Sequence, residues 1–303
     1  MVTSLSLINT SAAENKENFI YDCEKEFDLS VDNVVRTFLA DSDYDIVLLA
    51  GPSSSGKTTT AGILAHKINQ SGRNAYIVSL DDFYLDRDNI PFNEDGMRDY
   101  ENVTALDIDL IHTCFNDLIV NRRAELPTFD FKTGKRSATK HIELQKDDVI
   151  IVEGLHALNP VITQGLDEKH LYRIYISVSS RITADDGRIL LNKRNLRFIR
   201  RMIRDYRHRN SPVEQTFFMW QGVMKGEDKY LFPFEGNADV RINSFHSYEA
   251  CIFKKEALRL LREVGKDSGY FEKAQELIDA VSLFVGIEQS LLPSQSLLNE
   301  FLR

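Results

Sequence analysis

The sequence is short of cysteine, of long apolar runs and of positive charge, and each shortage removes a class of protein. Its 303 residues hold three cysteines, Cys23, Cys114 and Cys251. They are far apart, odd in number and never in a C-x-x-C pair, which argues against a disulfide framework and a zinc site and points to a reducing compartment. No apolar run approaches the roughly 18 residues of a membrane span, so no membrane association is expected. The opening stretch, MVTSLSLINTSAAENKENF, lacks a basic start and a long apolar segment, so it does not read as a secretory signal and the expected location is the cytoplasm. Lys and Arg number 37 against 46 Asp and Glu, a net charge of −9, which argues against wholesale nucleic-acid binding. Internal repeats, low-complexity tracts and evident linkers are missing too. With 43% hydrophobic residues, the expectation is one well-cored, doubly wound α/β domain with helical additions at both ends.

What positive charge exists is concentrated. From Arg181 to Arg209 there are ten Lys/Arg and three Asp, a local +7 that leaves −16 for the rest of the chain. Such a segment is suited to meeting an anion.

The anion site itself is legible at Asp45–Thr60, DIVLLAGPSSSGKTTT. Ile46–Ala50 is a short apolar run, Gly51–Thr58 fits G-x-x-x-x-G-K-[ST], and an apolar-periodic segment follows. Strand, loop and helix are the context that a phosphate-binding loop requires. Gly51, Ser53, Ser54, Ser55 and Gly56 are small enough to let successive N–H groups turn inward around a phosphate. Thr59 follows on the first helical turn, whose dipole points the same way. Lys57 is placed to reach the β/γ-phosphates and the Thr58 hydroxyl to ligate Mg²⁺.

Further elements follow in order. Asn18–Ala40 is apolar at partly helical spacing, with Asp28, Ser30 and Asp32 as candidate caps. Ala75–Leu80 reads as a strand ending in Asp81-Asp82-Phe83-Tyr84. In open α/β sheets the ligand crevice lies outside the carboxyl ends of the strands, so one of these acids is expected to serve it. Asp86–Glu101 is polar and reads as a mobile loop, Leu106–Asn121 as an amphipathic helix, and Pro127–Arg136 as a hairpin turning at Thr133-Gly134. Phe129 and Phe131 on that ribbon serve either as a base-stacking wall or as core anchors. Val149–Val152 is a buried strand closed by Glu153, as in a Walker B element whose carboxylate orients the Mg²⁺ shell. His156 is either a hydrogen-bonded structural histidine or a catalyst.

In the basic segment Leu196, Ile199, Ile203 and Tyr206 form one helical stripe and Arg197, Arg201, Arg204 and His208 another, with Asp205 the single acid among them. Opposite a phosphate loop this suggests a lid over the transferring phosphoryl group, with a polyphosphate or nucleic-acid surface as the rival. Strands at Leu171–Val178 and Ala238–Asn243, a helix at Tyr248–Val264, and a mostly helical tail from Tyr270 to Arg303 complete the chain. The tail is expected to pack on the core or to make a homo-oligomer contact.

The stretches GPSSSGKTT, VSLDDFYLDRDNIP, YENVTALDIDLI, LPTFDFKTGKR, VIIVEGLHALNP, RFIRRMIRDYRHR and LFPFEGNADVRINS together resemble the uridine kinase and phosphoribulokinase family of P-loop kinases. The nearest likeness is to its bacterial uridine-kinase-like nucleoside kinases, over about 45–244. The resemblance implies a P-loop kinase fold, a mostly parallel doubly wound sheet with a basic helical lid at about 181–212. Residues 1–44 would be an N-terminal helical extension, 45–245 the kinase domain and 246–303 a C-terminal helical region. It implies transfer of the ATP γ-phosphoryl, with Mg²⁺, to the 5′-hydroxyl of a nucleoside, uridine foremost. The family's D-x-F-Y acid falls on Asp81, with Tyr84 completing the motif. Its ribose-binding acid falls on Glu101, its aromatic pair on Phe129 and Phe131, and its lid arginines on Arg201, Arg204 and Arg209. Thr58 and Glu153 would serve the metal.

Three departures bear on the acceptor. Gly134 stands where pyrimidine kinases carry a base-reading histidine, Phe129 where they carry a tyrosine, and Asn195-Leu196-Arg197 where they carry D-T-R. A site lacking groups that hydrogen-bond a base discriminates weakly. Two other readings therefore stand beside the first: a kinase of another small hydroxylated metabolite, and a catalytically impaired nucleotide-binding regulatory or RNA-binding protein. Asn192-Lys193-Arg194-Asn195 lacks the final acid of a guanine-reading N-K-x-D, against a GTPase switch.

Overall fold

The computed structural model describes residues 2–41, 43–94 and 96–302. Asp95 of the expected polar loop and Arg303 of the expected tail lie outside the described residues. In chain order the elements are β1 (Val2–Ser4), α1 (Leu5–Glu14), α2 (Lys16–Ala40), β2 (Ile46–Ala50), α3 (Lys57–Gln70), β3 (Ala75–Ser79), α4 (Ile108–Asn116), β4 (Arg123–Asp130) and β5 (Lys135–Glu143). They continue with β6 (Val149–Glu153), β7 (Leu171–Ser177), β8 (Arg181–Thr183), β9 (Ile189–Leu191), α5 (Lys193–Arg209), α6 (Val213–Tyr230), β10 (Val240–Asn243), α7 (Glu249–Leu261), α8 (Phe271–Ser282) and α9 (Asn299–Leu302).

Five parallel strands form the main sheet in the order β10-β7-β2-β6-β3. The P-loop kinase fold follows from this order: β2, which feeds the phosphate loop, is central, and the chain leaves it to one side for β3 and later fills the other with β7 and β10. The crevice at the carboxyl end of β2 is the switch point where ligands bind in such sheets. Every residue of β2 is buried, as a parallel strand covered on both faces must be. Val47 and Leu49 enter the core shared with α2, α3, α5 and α7, while Ile46, Leu48 and Ala50 enter a smaller core with α4 and the base of the β4–β5 hairpin. No helix of the described residues is long and apolar enough to cross a membrane.

Several expectations are corrected. α2 runs unbroken through Asp28–Asp32, and its cap is Asn15, whose side chain accepts from the Asn18 amide. Asp28 and Asp32 instead pair with Lys67 of α3 at 2.7 and 2.6 Å. The helix expected to Asn121 is regular only to Asn116; a π-type turn at Asp117–Asn121 then ends at Arg122, in the left-handed region at φ 54. The hairpin is longer than read, and Gly134 (φ +70) makes its turn possible. Among the described residues the tail is α-helical only in α8 and the four residues of α9, with a 3-10 turn at Gln289–Leu291 between them. Around Pro293 its apolar residues do not form one helical face: Leu292, Leu297, Leu298 and Phe301 drop separately into the main core. The sheet β1-β8-β9 was not legible, because three-residue strands carry no period to count.

Candidate active site

The loop Gly51–Gly56 closes tightly. A side chain at Gly51 would stand 2.2 Å from the Ile176 carbonyl, so β7 holds the loop's first turn by direct backbone approach. Ser54 has φ 59 and Gly56 φ 89; the second is the residue type such a turn selects. Lys57 donates to the Gly51 carbonyl at 2.9 Å and the Pro52 carbonyl at 3.3 Å, which folds its ammonium over the loop. The Ser54 and Ser55 hydroxyls are buried with no hydrogen-bond partner among the described residues. Thr58 is exposed on the first turn of α3. The amide and hydroxyl of Thr59 are taken by Glu300, treated below.

The acids stand at the ends of neighbouring strands. Leu80–Phe83 is a 3-10 turn rather than the last of β3, so the two acids part company through the turn and not through strand pleating. Asp82 accepts from the Phe129 amide at 3.1 Å and ties β4 to the turn. Asp81 is exposed, with no hydrogen bond or ion pair among the described residues. Glu153, at the end of β6, is 5% exposed and accepts from the Ser79 hydroxyl at 2.8 Å. Burial, then the negative charge of Asp81, pushes its carboxyl up to about 7, with Lys57 opposing.

On the acceptor side Glu101 sits against α6, where Gly226 leaves it room: a side chain at 226 would lie 2.2 Å from the Glu101 Cβ. Glu101 keeps some solvent contact, yet the protein crowds its carboxyl enough that burial pushes it up to about 7, against the pull of Arg201. Tyr84 donates to the Tyr100 carbonyl at 2.9 Å. Its ring centroid lies 5.7 Å from Phe129 and 6.3 Å from Phe131, and those two are 5.1 Å apart, edge to face. Phe131 is 56% exposed. Neither ring enters a core cluster among the described residues, so the pair does not anchor the ribbon to the core. The His156 ring is buried against the Glu101 main chain, 6.5 Å from the Tyr230 ring. Burial pulls it down to about 4, so it is neutral.

The basic helix α5 begins in a capping box of Asn192 and Asn195. It is packed into the main core through Leu196, Phe198, Ile199, Met202 and Ile203. Its arginines are answered by acids from neighbouring helices and by its own Asp205. Arg197 pairs with Glu227 of α6 at 2.6 Å and Arg200 with Glu249 of α7. Asp205 gathers three more: Arg201 at 3.1 Å, Arg204 at 2.9 Å and Arg209 at 3.4 Å. Arg201 also donates to the Ser53 hydroxyl at 2.7 Å. His208 is exposed. The stripe therefore reads as a fan anchored on buried carboxylates, with Arg201, Arg204 and Arg209 converging where Asp205 holds them.

Sequence reasoning missed Glu227. It is fully buried, binds Arg197 through two nitrogens, and accepts the Ser53 amide at 2.8 Å, so it holds the phosphate loop from behind. A signal existed: Val213, Thr216, Trp220, Val223 and Glu227 share the buried stripe of α6, and an acid on such a stripe calls for a partner.

A phosphate loop on the central strand, acids at the ends of β6 and β3 on one side of it, and an arginine cluster over the loop define a P-loop phosphotransferase. The comparisons agree at the level of the family. The model of the phosphoribulokinase / uridine kinase family matches residues 46–249, and the chain belongs to that family. A uridine kinase of Lactobacillus helveticus (strain DPC 4571) is 32% identical over 197 residues, 64% of this chain and 84% of its own length. One of Staphylococcus carnosus (strain TM300) is 30% identical over 199 residues, 65% of this chain and 86% of its own. A solved structure of a possible uridine kinase from Bacillus stearothermophilus covers 70% of this chain and 97% of its own, at 19% identity and a TM-score of 0.48.

Proposed function

We propose that the protein transfers the γ-phosphoryl of ATP to the 5′-hydroxyl of a nucleoside, with uridine the foremost acceptor. The observation that carries the reading is the wall of Tyr84, Phe129 and Phe131 beside Asp81 and Glu101. A flat ring can stack there while an acid holds its sugar. In this reading residues 45–245 are the kinase domain, 1–44 an N-terminal extension and 246–303 a C-terminal region.

The phosphate loop amides from Ser54 to Thr59 cradle the triphosphate. Lys57, once turned from the loop carbonyls, neutralises the transferring group together with Arg204 and Arg209, which Asp205 already orients. Asp81 accepts the proton of the attacking hydroxyl. Its exposure and lack of a partner leave its oxygens available for that bond. Transfer of this kind depends on positioning and charge neutralisation more than on covalent chemistry. The Thr58 hydroxyl and Glu153 are hard oxygen donors suited to Mg²⁺, and a carboxyl that burial pushes up to about 7 is one whose ionised form a cation would favour. When bound, the ion would offset charge on the donor phosphates.

A specific observation favours a second acceptor class. Gly134 has no side chain to read a base, and the Arg87 guanidinium packs over it at 2.6 Å from where a Cβ would stand. That leaves a cationic group at the hairpin turn, which suits an acidic or hydroxylated metabolite as well as a nucleoside. The RNA-binding reading loses support, because Glu227, Glu249 and Asp205 answer the arginines internally.

Labelled ATP with a panel of nucleosides, sugars and sugar phosphates separates the two. The expected result is a 5′-phosphorylated nucleoside. Label moving only to a non-nucleoside alcohol would overturn the nucleoside reading and retain the kinase.

A further inference from the structure

The C-terminal segment enters the donor half of the site. Glu300 of α9 directs its Oε2 at the first turn of α3, where it accepts from the Thr59 hydroxyl at 2.8 Å and the Thr59 amide at 3.3 Å. Three residues earlier, Leu297 presses on the phosphate loop so closely that a side chain at Gly56 would meet its Cδ1 at 2.5 Å. The segment is fastened from behind. Phe301 is fully buried with the Arg200 guanidinium 5.3 Å from its ring, the Leu302 carbonyl accepts from Arg207 of α5, and Asn299 donates to the Pro293 carbonyl at 2.7 Å. Glu300 itself is only half-buried, so its carboxylate can rotate into solvent while Leu297 and Phe301 stay in place.

The position of that carboxylate matters because of the loop it touches. In a phosphate loop of this pattern the amides running into the first helical turn are the oxyanion donors, and Thr59 is the second residue after Lys57. We propose that Glu300 is an internal competitor for the nucleotide: its carboxylate holds the donors that the phosphate nearest the nucleoside would take. Resting on the donor-site reading above, this makes the C-terminal segment a brake on nucleotide binding. The Glu300 side chain is the moving part and Leu297 the fixed wall. One amide cannot serve a carboxylate and a phosphate at once, and the two negative groups repel. The segment would therefore have to yield Thr59 each time a nucleotide binds. The competing explanation is that Glu300 merely stabilises α3 as an acid at a helix N-terminus does.

The two predict opposite signs. Glu300→Gln in the full chain removes the charge at nearly constant shape, and Glu300→Ala removes the side chain at a half-exposed position. Affinities for ATP, ADP and adenosine are read by titration calorimetry. If the carboxylate competes, both variants bind ATP and ADP more tightly, by about three- to tenfold. Adenosine, with no phosphate, should bind as to the parent. Hydrogen–deuterium exchange of residues 296–302 in the parent should rise when ADP is added. Equal or weaker ADP binding in both variants, with a lower unfolding temperature, would overturn the proposal and make Glu300 a helix cap. Absence of ATP and ADP binding in the parent and both variants alike would overturn the donor-site reading and the proposal with it.

Discussion

The ion pair between Arg197 and Glu227 permits a test that separates holding the fold from holding the phosphate loop. Arg197 is 3% exposed and Glu227 not at all; they share contacts of 2.9, 2.9 and 2.6 Å, and the Trp220 ring lies 5.3 Å from the guanidinium. Removing one partner leaves the other charge buried and unpaired, which costs about 3–5 kcal/mol. Glu227→Leu should show that full loss. Arg197→Met should fall at the lower end, because burial already raises the Glu227 carboxyl and it can take up a proton. Replacing both, Arg197→Met with Glu227→Leu, removes both charges and gives Trp220 a thioether to pack on, so stability should return to within about 1 kcal/mol of the parent.

Nucleotide affinity should not return with it. The Ser53 amide donates to Glu227 at 2.8 Å, and the double variant leaves that donor without its acceptor, a penalty of about 1–3 kcal/mol while the loop keeps its shape. The loop can relieve that penalty by departing from the cradle, so ATP should bind roughly tenfold more weakly or worse. Urea unfolding followed by circular dichroism gives the stabilities, and titration calorimetry gives the affinity. A double variant that recovers both quantities would refute the loop-anchoring role and leave Glu227 as a counter-charge only. A double variant no more stable than the singles would show that the pair is not what the singles lost.

Two further outcomes are expected. Asp81→Asn should lower turnover by at least about a hundredfold while leaving ATP affinity nearly intact; undiminished turnover in a single-turnover assay would remove Asp81 from its role as base. Glu101 is held at about 7 against an ordinary 4.5, so the folded chain keeps a proton there that the unfolded chain gives up. Its contribution to stability is complete below about 4.5 and is lost as the pH rises through 7. His156 and His246, pulled down by burial, act in the opposite sense as the pH falls below their usual range. The difference in unfolding temperature between the parent and Glu101→Gln isolates the carboxyl, and it should shift in favour of the variant between pH 5 and pH 7.5. A difference that stays constant with pH would show that Glu101 titrates normally.

How much could be read without coordinates depended on how local the cause was. The phosphate loop, the strand before it and the acids at strand ends are set by residues that neighbour one another in the chain, and each was found where its pattern put it. The aromatic ribbon was half legible: alternation located Phe129 and Phe131, but only Asp82 reaching across to the Phe129 amide fixed which way the wall faces. The basic helix was legible in part for a physical reason. Its own sequence holds one acid, Asp205, which located the arginine stripe, but the carboxylates that answer Arg197 and Arg200 arrive from positions 227 and 249. The tail was legible only in part as well, because Leu292, Leu297 and Leu298 are buried by tertiary gaps and not by a helical stripe.

That pattern of pairing changes what the arginines are for. Had Arg197, Arg200, Arg201, Arg204 and Arg209 all been unpaired, mutual repulsion would drive the helix away from the loop until an anion arrived. Here Arg197 and Arg200 are spent on buried acids and fasten α5 to α6 and α7, so the helix sits over the loop at rest. Asp205 then carries three arginines on one carboxylate, a local excess of positive charge on a rigid support. Across the crevice, burial keeps Glu101 and Glu153 poised near neutrality and so limits the opposing negative charge around Asp81. On the proposed reading, the site would meet a triphosphate with cations already positioned and acids only partly ionised. In that reading reorganisation would fall on two small movements, the turning of Lys57 from the loop carbonyls and the release of Thr59 by Glu300, and a preorganised site of this kind spends little of its binding energy on rearrangement.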